Sequence, residues 1–253
     1  MKNIFIWLAF IAGIVTLIGS CAKKDEESST AATTASSDNT TSSSVTCTAV
    51  SSCSATASGS FYVDNVTLSG VYDFFHIYGI IGGFGVDNST GCVDNSSLIT
   101  GRGPTGTQSL ITQEVITSST SFATKAVYYS DTACSSEIAS VVQGYSDVSV
   151  GDNETGLIAG SYSYPTSASK VTYKESCMEL KGTTDVGTSY LNTLLSSSFV
   201  TTGETHTCQD SGDTKYALWA ADNSSIMSSL YTEKSSTAYP TDWSSDTDTA
   251  TKM

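Results

Sequence analysis

The first 20 residues constrain this chain most, because they decide the compartment in which the rest of it folds. One basic residue, Lys2, precedes a mostly apolar run over residues 4–18, and the small residues Gly19 and Ser20 follow. A basic start, an apolar run of about 7–15 residues and a small-residue cleavage point define a secretory signal. The run is shorter than the roughly 20 residues that span a bilayer. We therefore predict that residues 1–20 are a signal peptide; the alternative is an uncleaved N-terminal anchor.

Cys21 follows this segment directly. The motif Ile18-Gly19-Ser20-Cys21 resembles the lipobox of bacterial lipoprotein signals. The resemblance implies cleavage before Cys21 and attachment of fatty acyl chains, such as palmitate, to its sulfur and amino group. Several acyl chains hold a protein firmly on a membrane, whereas one chain does so only marginally. Because Ala22 rather than aspartate follows, the resemblance favours the outer membrane, on its periplasmic face or at the cell surface.

If Cys21 carries lipid, an even number of cysteines remains in an exported chain, which predicts disulfide bonds. They are Cys47, Cys53, Cys92, Cys134, Cys177 and Cys208. Six cysteines allow 15 pairings, and the sequence does not choose among them. Our expectation is that neighbours pair: Cys47 with Cys53, Cys92 with Cys134, and Cys177 with Cys208. Zinc binding is the rival interpretation, but there is no Cys-x-x-Cys and the only two histidines are isolated.

Composition divides the remainder of the chain. Residues 21–46 are charged at first and then nearly all Ser, Thr and Ala, a composition that cannot bury enough apolar surface to offset its ordering entropy. We predict a flexible tether there. Residues 47–243 are expected to form one β-rich domain, and residues 244–253 a loose C-terminal tail.

The pattern within the domain predicts an all-β fold, because β-branched and aromatic residues recur in short runs between turn residues. The strands are expected within residues 61–86, 110–117, 122–130, 138–150, 157–164, 170–180, 216–220 and 225–231. A turn is expected at residues 151–156, and docking of the chain at residues 239–243. One short helix is expected near residues 188–199, capped by Thr188 or Ser189, with its apolar stripe at Tyr190, Leu191, Leu194, Leu195 and Phe199.

One stretch of the domain also resembles a known family. Its residues are Phe122, Tyr128-Tyr129, Asp131, Cys134, Gly144-Tyr145 and Val150-Gly151. On these, residues 122–151 resemble the small lipocalin-like barrels of bacterial exported proteins. The resemblance implies an antiparallel up-and-down β-barrel, with a sandwich as the alternative. The Gly-x-Trp of lipocalin first strands is missing, since Gly59-Ser60-Phe61 stands there, so no binding residues are carried over.

Charge and motifs exclude several function classes. The net charge is −14 and Arg102 is the only arginine, so the chain lacks the basic footprint of a nucleic-acid-binding protein. Ser167-x-x-Lys170 matches the first motif of penicillin-recognising enzymes, but a strand pattern surrounds it and no Lys-Thr-Gly follows. His206 has no marked nucleophile or acid, and no Gly-x-Ser-x-Gly is present. The paired aspartates at residues 210 and 213 and at residues 246 and 248 do not fit a calcium loop.

We therefore predict a non-catalytic protein with no metal and no cofactor, held at the cell envelope by its lipid. The first function hypothesis is a module that binds a small apolar ligand. The second is a structural or protein-interaction lipoprotein with a filled barrel, and an exported hydrolase ranks last. The aromatic residues expected on strands would either fill the barrel or line its cavity. They are Tyr72, Phe74, Tyr128, Tyr162, Tyr173 and Trp219.

Overall fold

The fold is mostly antiparallel β-sheet with one short, fully described helix, which confirms the all-β class. The computed structural model describes residues 53–74, 91–94, 99, 103–157, 165–195, 198–209, 212, 214–222, 225–228, 238–241, 243 and 248–253. The predicted signal peptide, Cys21, the tether and Cys47 lie outside these residues. No helix within the described ranges is long and apolar enough to cross a membrane.

The strands belong to one curled sheet. In chain order they are β1 (Ser60–Val63), β2 (Val66–Phe74), β3 (Ser109–Ile116), β4 (Phe122–Tyr129), β5 (Glu137–Thr155), β6 (Ser167–Gly182), β7 (Thr205–Gln209), β8 (Thr214–Ala221), β9 (Ser225–Ser228) and β10 (Asp248–Lys252). The order across the sheet is β1-β2-β10-β9-β8-β6-β5-β4-β3, with β7 beside β6. The sheet curls into a half-barrel, and β2 also pairs with β3 over residues 70–73.

Helix α1 (Asp185–Leu194) begins and ends earlier than predicted. Thr184 is its N-cap, because the Thr184 hydroxyl accepts a hydrogen bond from the Gly187 N–H at 3.1 Å. Asp185 in the first turn complements the positive end of the helix dipole. The predicted cap Thr188 therefore lies inside the helix, and Phe199 packs against the helix cluster from the loop that follows.

Two pairs of predicted strands that are neighbours in sequence form hairpins. Strands β3 and β4 pair without interruption from Ser109 opposite Tyr129 to Ile116 opposite Phe122. The turn between them is held by hydrogen bonds, since the N–H of Thr117 donates to the carbonyl of Ser121 at 3.1 Å. Strands β8 and β9 form the second hairpin. Short local pairings of this kind follow directly from the alternating pattern.

Strand β5 is longer than predicted, so the turn expected at residues 151–156 is wrong. The strand runs to Thr155 and pairs there with β6. The polar residues of this stretch have partners across strands: Lys170 Nζ lies 2.6 Å from Glu154 Oε2, and Asn153 Oδ1 accepts from the Ser169 hydroxyl at 2.9 Å. Strand β6 therefore pairs with β5 along this stretch, and the predicted strand at residues 157–164 lies almost entirely outside the described residues.

The C-terminal part of the chain is ordered further than expected. Trp243 is buried, and its indole N–H donates to the Pro165 carbonyl at 2.6 Å, which confirms that this segment docks on the domain. The prediction of a loose tail is wrong for β10, which pairs with both β2 and β9. Thr and Ala at alternate positions supply a strand with little apolar signal, so composition did not reveal it.

Two apolar clusters lie at opposite ends of the concave face. The first, here called the aromatic cluster, consists of Phe61, Val63, Leu68, Tyr72, Ile116, Phe122, Val148, Val171, Tyr173, Ala217, Trp219 and Ile226. The second, here called the helix cluster, packs α1 against the sheet through Ala139, Leu180, Leu191, Leu195, Val200 and Cys208. Strand β4 connects them, since Phe122 at its start belongs to the first and Tyr128 near its end packs against the second.

Candidate ligand-binding site inside the curled sheet

A charged layer lies on the concave face between the two clusters. Glu114 on β3 lies opposite Tyr72 on β2 and Thr124 on β4, and Tyr173 on β6 lies opposite Lys215 on β8. Directly opposed residues of an antiparallel pair project to the same face. Because Tyr72 and Tyr173 belong to the aromatic cluster, Glu114 and Lys215 face the same interior.

Three ionisable side chains are buried in this layer. Glu114 is 2% exposed, Glu175 6% and Lys215 6%. Lys215 Nζ lies 3.6 Å from Glu175 Oε2, so these two form a buried ion pair. Burial of a charge is costly unless it is paired and hydrogen-bonded. Glu114 is the third buried ionisable side chain of this layer.

Aromatic rings border the charged layer on one side. The ring of Phe122 stacks on that of Tyr145 with centroids 4.4 Å apart, and it meets the edges of Tyr173 at 5.2 Å and Trp219 at 5.1 Å. Tyr145 also meets Tyr173 edge-on at 5.2 Å. Such edge-to-face contacts are the preferred arrangement of aromatic pairs. The four rings form a rigid wall of the interior.

The tyrosine hydroxyls near the charged layer are neutral donors. Burial raises the pKa of Tyr173 well above its usual value, and the neighbouring Tyr145, Glu175 and Glu114 raise it further. Burial also raises the pKa of Tyr72; the hydrogen bond from the Ser69 N–H opposes this shift and Glu114 adds to it. Both hydroxyls therefore keep their protons at neutral pH and can donate hydrogen bonds.

Some inward positions between the clusters are only partly buried. Thr124, Ala126 and Gln143 face inward and are only half-buried. Their outward-facing neighbours Ala123 and Val142 are buried instead. The outer positions are buried because the segment that carries Cys53 packs on Ala123 and Val142. The inner positions keep part of their surface exposed among the described residues.

The indole N–H of Trp219 is a buried hydrogen-bond donor on this face. Trp219 is fully buried, and its Nε1 has no hydrogen-bond partner among the described residues. Buried indole N–H groups normally find an acceptor, because leaving one unsatisfied costs about 1–3 kcal/mol. The side chain packs in the aromatic cluster at the edge of the charged layer.

The outer face is closed by a disulfide that the sequence did not predict. Cys53 pairs with Cys177, with a Cα–Cα distance of 5.8 Å. Cys53 packs with Ala123 and Val142, so the bond lays the segment before β1 across the outside of β4, β5 and β6. The expected pairs Cys47–Cys53 and Cys177–Cys208 are therefore wrong. Cys208 on β7 lies opposite Met178, so Cys177 and Cys208 project to opposite faces of the sheet, and Cys177 meets Cys53 on the outer face.

The other cysteine predictions have two outcomes. Cys92 and Cys134 are disulfide-bonded with a Cα–Cα distance of 6.0 Å, which confirms that pair. Cys208 is disulfide-bonded as well, and its partner is none of the other described cysteines. No group of three or more His, Cys, Asp or Glu side chains in the described ranges is placed to hold a metal ion.

The Ser-x-x-Lys motif lies on a strand and not at the start of a helix. Ser167 and Lys170 are both in β6, where residues three apart project to opposite faces. Lys170 pairs with Glu154 and also lies over the ring of Tyr239, 5.7 Å from its centroid. The lysine therefore has partners other than the serine, and the motif does not form a nucleophilic pair.

His206 takes part in a surface turn. Its Nε2 accepts from the Thr201 N–H at 3.0 Å and lies 3.0 Å from the Thr201 hydroxyl, which donates to Glu204 at 2.5 Å. The histidine nitrogen nearest the hydroxyl is thus already engaged as an acceptor of a backbone N–H, so the arrangement stabilises the turn before β7. His76, Tyr162 and the aspartates at residues 210, 213 and 246 lie outside the described residues.

Sequence reasoning did not single out Glu114, Glu175 or Lys215. The signal was available, because each lies two residues from an inward apolar or aromatic residue of its strand: Ile116, Tyr173 and Ala217, respectively. A charge at an inward position of an otherwise apolar alternation indicates a buried polar site.

Comparisons with known proteins do not place the chain in a family. No family model matches the chain, and no curated protein matches it. The chemistry of the interior is therefore inferred from its own residues. Carboxylates, an ammonium, phenolic hydroxyls and an indole N–H on one face are groups that can hold a small polar or charged molecule.

Proposed function

We propose that this protein is a non-catalytic, lipid-anchored lipoprotein of the cell envelope whose β domain binds a small ligand inside its curled sheet. The observation that carries the proposal is the charged layer of Glu114, Glu175 and Lys215 beneath half-buried inward positions. Binding sites are concave, mostly apolar and contain a few convergent polar groups, as this interior does.

The energetics support a functional role for the charged layer. Replacing a buried ion pair by well-packed apolar side chains is often neutral or stabilising. The two apolar clusters on either side supply the packing that such a replacement would extend. Retaining charges between them is therefore better explained by recognition of a ligand than by stability.

The position of the charges refines the ligand expected from the sequence. A wholly apolar ligand would leave Glu114, Glu175 and Lys215 desolvated without new partners, which is unfavourable. An amphipathic ligand, with a polar group at the charged layer and an apolar body against the clusters, satisfies both surfaces.

A titration of the purified protein tests ligand binding. We expect small amphipathic probes to change the fluorescence of buried Trp219 saturably, because its ring borders the charged layer. The control is the same titration on protein unfolded in denaturant. Absence of saturable binding by any charged or neutral amphipathic probe to folded protein would remove the proposal.

The anchor is proposed from Cys21 and the motif before it. Cys21→Ser should abolish incorporation of a labelled fatty acid and release the protein from membranes, whereas Ser20→Ala, which keeps a small residue before the thiol, should not. Equal labelling of wild type and Cys21→Ser would contradict the anchor, and fractionation of inner and outer membranes tests its location.

A second function, an interaction module with a filled interior, is favoured by one observation. The aromatic cluster is tightly packed, with Tyr72, Phe122 and Trp219 each at most 2% exposed. If the half-buried inward positions are also covered in solution, a bulky change such as Ala126→Trp will lower stability. If the interior is open, this variant will fold normally and block the ligand.

A further inference from the structure

We propose that Cys47 and Cys208 form a further disulfide, which fastens the segment before β1 around the edge of β7. The observation that carries the proposal is the state of Cys208, which is disulfide-bonded to none of the other described cysteines. The inference goes beyond the proposed function, and one step of it uses the proposed lipid anchor.

The cysteine count leaves two partners for Cys208 within the chain. Two disulfides account for four of the seven cysteines. Cys208 can therefore pair only with Cys21 or Cys47, both of which lie outside the described residues. If Cys21 carries lipid as proposed, its sulfur is bonded to the lipid and cannot also enter a disulfide. Cys47 is then the partner that remains.

The fold brings Cys208 within reach of Cys47. The Cα atom of Cys53 lies 5.8 Å from that of Cys177, and Cys177 lies opposite Gln209, the residue after Cys208. Because neighbouring strands lie about 4.8 Å apart, Cys208 is about 12 Å from Cys53. Cys47 stands only a few positions before Cys53, and a segment of this length extends to about 20 Å. The chain between them is therefore long enough for the bond, and a short loop costs little entropy to close.

The two ends of this segment belong on opposite faces of the sheet. Cys53 packs on Ala123 and Val142 on the outer face, whereas Cys208 is buried in the helix cluster on the other face. Among the described strands β7 pairs only with β6, while on the other side of β6 the sheet continues through β5, β4, β3 and β2. The edge of β7 is therefore the short way round, and the segment is expected to pass over it.

The bond forms by oxidation of two thiols. Cys47 and Cys208 together lose two electrons and two protons, which reduce the disulfide of an oxidising protein in the export compartment to two thiols. The product covers a strand edge whose backbone groups are otherwise free to pair with another chain. It also fixes the point at which the tether begins, beside β7 and α1.

A map of the bonds in the wild-type protein tests the assignment. The mature protein is alkylated without reduction and digested with elastase, which cleaves after small aliphatic residues such as Val50 and so separates Cys47 from Cys53. Mass spectrometry should find a peptide with Cys47 linked to a peptide with Cys208. A bond from Cys208 to Cys21 would overturn both this inference and the lipid anchor. If Cys47 is free or bonded elsewhere, the inference alone fails, and an intact bond with no fatty acid on Cys21 would remove the anchor alone.

Single substitutions give a second readout. Cys47→Ser should release one thiol, that of Cys208, which reacts with an alkylating reagent only after unfolding because it is buried. The matched control is Cys53→Ser, which should release the thiol of Cys177 instead. In Cys47→Ser the amides of β7 should exchange hydrogen about tenfold faster than in wild type, and those of β3 should not change. Release of any other thiol, or unchanged exchange of β7 in the folded variant, would overturn the inference.

Discussion

At the scale of single residues, burial decides how much an ion pair between a lysine and a carboxylate matters for stability. Lys215 and Glu175 pair inside the sheet with side chains 7% and 6% exposed, while Lys174 and Asp147 pair on the surface at 3.0 Å with 47% and 65% exposed. The surface pair has the shorter distance, yet exposed ion pairs contribute only about 0–1 kcal/mol. Removal of one partner from a buried pair leaves an uncompensated charge.

Lys215→Met should therefore lower the free energy of unfolding by about 3 kcal/mol, because Glu175 then stays buried without its ammonium. Lys174→Met, on the same stretch of sheet, should change it by less than about 1 kcal/mol. Urea unfolding followed by circular dichroism measures both. Equal effects of the two substitutions would mean that the interior pair is solvated.

Asp131 holds the loop between β4 and β5 through its carboxylate. The carboxylate accepts hydrogen bonds from the backbone N–H groups of Ala133, Ser135 and Ser136 at 2.8, 3.1 and 2.6 Å. These bonds, led by those of Ser136, hold the pKa of Asp131 well below its usual range. The loop carries Cys134, so the carboxylate also positions one disulfide.

The pH dependence of an Asp131→Asn variant tests this role. A depressed pKa in the folded state gives stability that is present above the unfolded pKa of about 3.9 and is lost as the pH falls through the folded pKa. Asp131→Asn should therefore melt below wild type at pH 7, and the difference should shrink below about pH 4. A difference that stays constant down to pH 2 would show that the loss is steric.

At the scale of elements, local pairing was predictable and long-range geometry was not. The β3–β4 and β8–β9 hairpins follow from alternation and turn residues that lie next to each other in sequence. Helix α1 was predicted with its start displaced, because the cap Thr184 acts through a backbone contact to Gly187 that no apolar stripe reveals. Strand β10 was missed because its stability comes from partners distant in sequence.

Packing of α1 on the sheet gives an element-scale prediction. A Cβ on Gly187 would overlap the carbonyl oxygen of Ile138 on β5, so this glycine permits the close approach. Gly187→Ala should lower stability by about 1–3 kcal/mol, although alanine favours helices. Ser189→Ala on the exposed side of α1 should leave stability unchanged or slightly higher. Stabilisation by both substitutions would mean that the helix is not pressed against β5.

At the scale of the whole molecule, the Cys53–Cys177 disulfide lies on the outside of the sheet, while the charges of Glu114, Glu175 and Lys215 lie within it. The even cysteine count predicted disulfide bonds. It did not predict the Cys53–Cys177 pair, because these residues are 124 positions apart and spacing in the sequence does not show that they meet in the fold. The candidate site was likewise invisible to motif reasoning. Glu114, Glu175 and Lys215 come from three strands that are distant in sequence, and Glu175 and Lys215 meet only through the pairing of β6 with β8.

Loss of the long-range disulfide should weaken the fold more than it alters the interior. The double variant Cys53→Ser/Cys177→Ser should lose about 2–5 kcal/mol of stability, a typical cost for a native disulfide. Because the bond lies on the outer face with Ala123 and Val142, probe affinity at low temperature should stay near that of wild type. Loss of probe binding by a double variant that still folds would mean that the segment before β1 is needed to shape the interior.

The pairing of β10 with β2 and β9 also has a consequence for export. A protein that leaves the cytoplasm as an extended chain delivers β2 early and β10 last among the described strands. If the protein is exported as proposed, β10 cannot pair with β2 and β9 until translocation has passed Lys252. Contacts between such distant segments slow folding, because loop-closure entropy is lost before they form. Meanwhile the open edges of β2 and β9 can pair with other chains, so, if the protein is exported as proposed, holdases are expected to matter most during that interval.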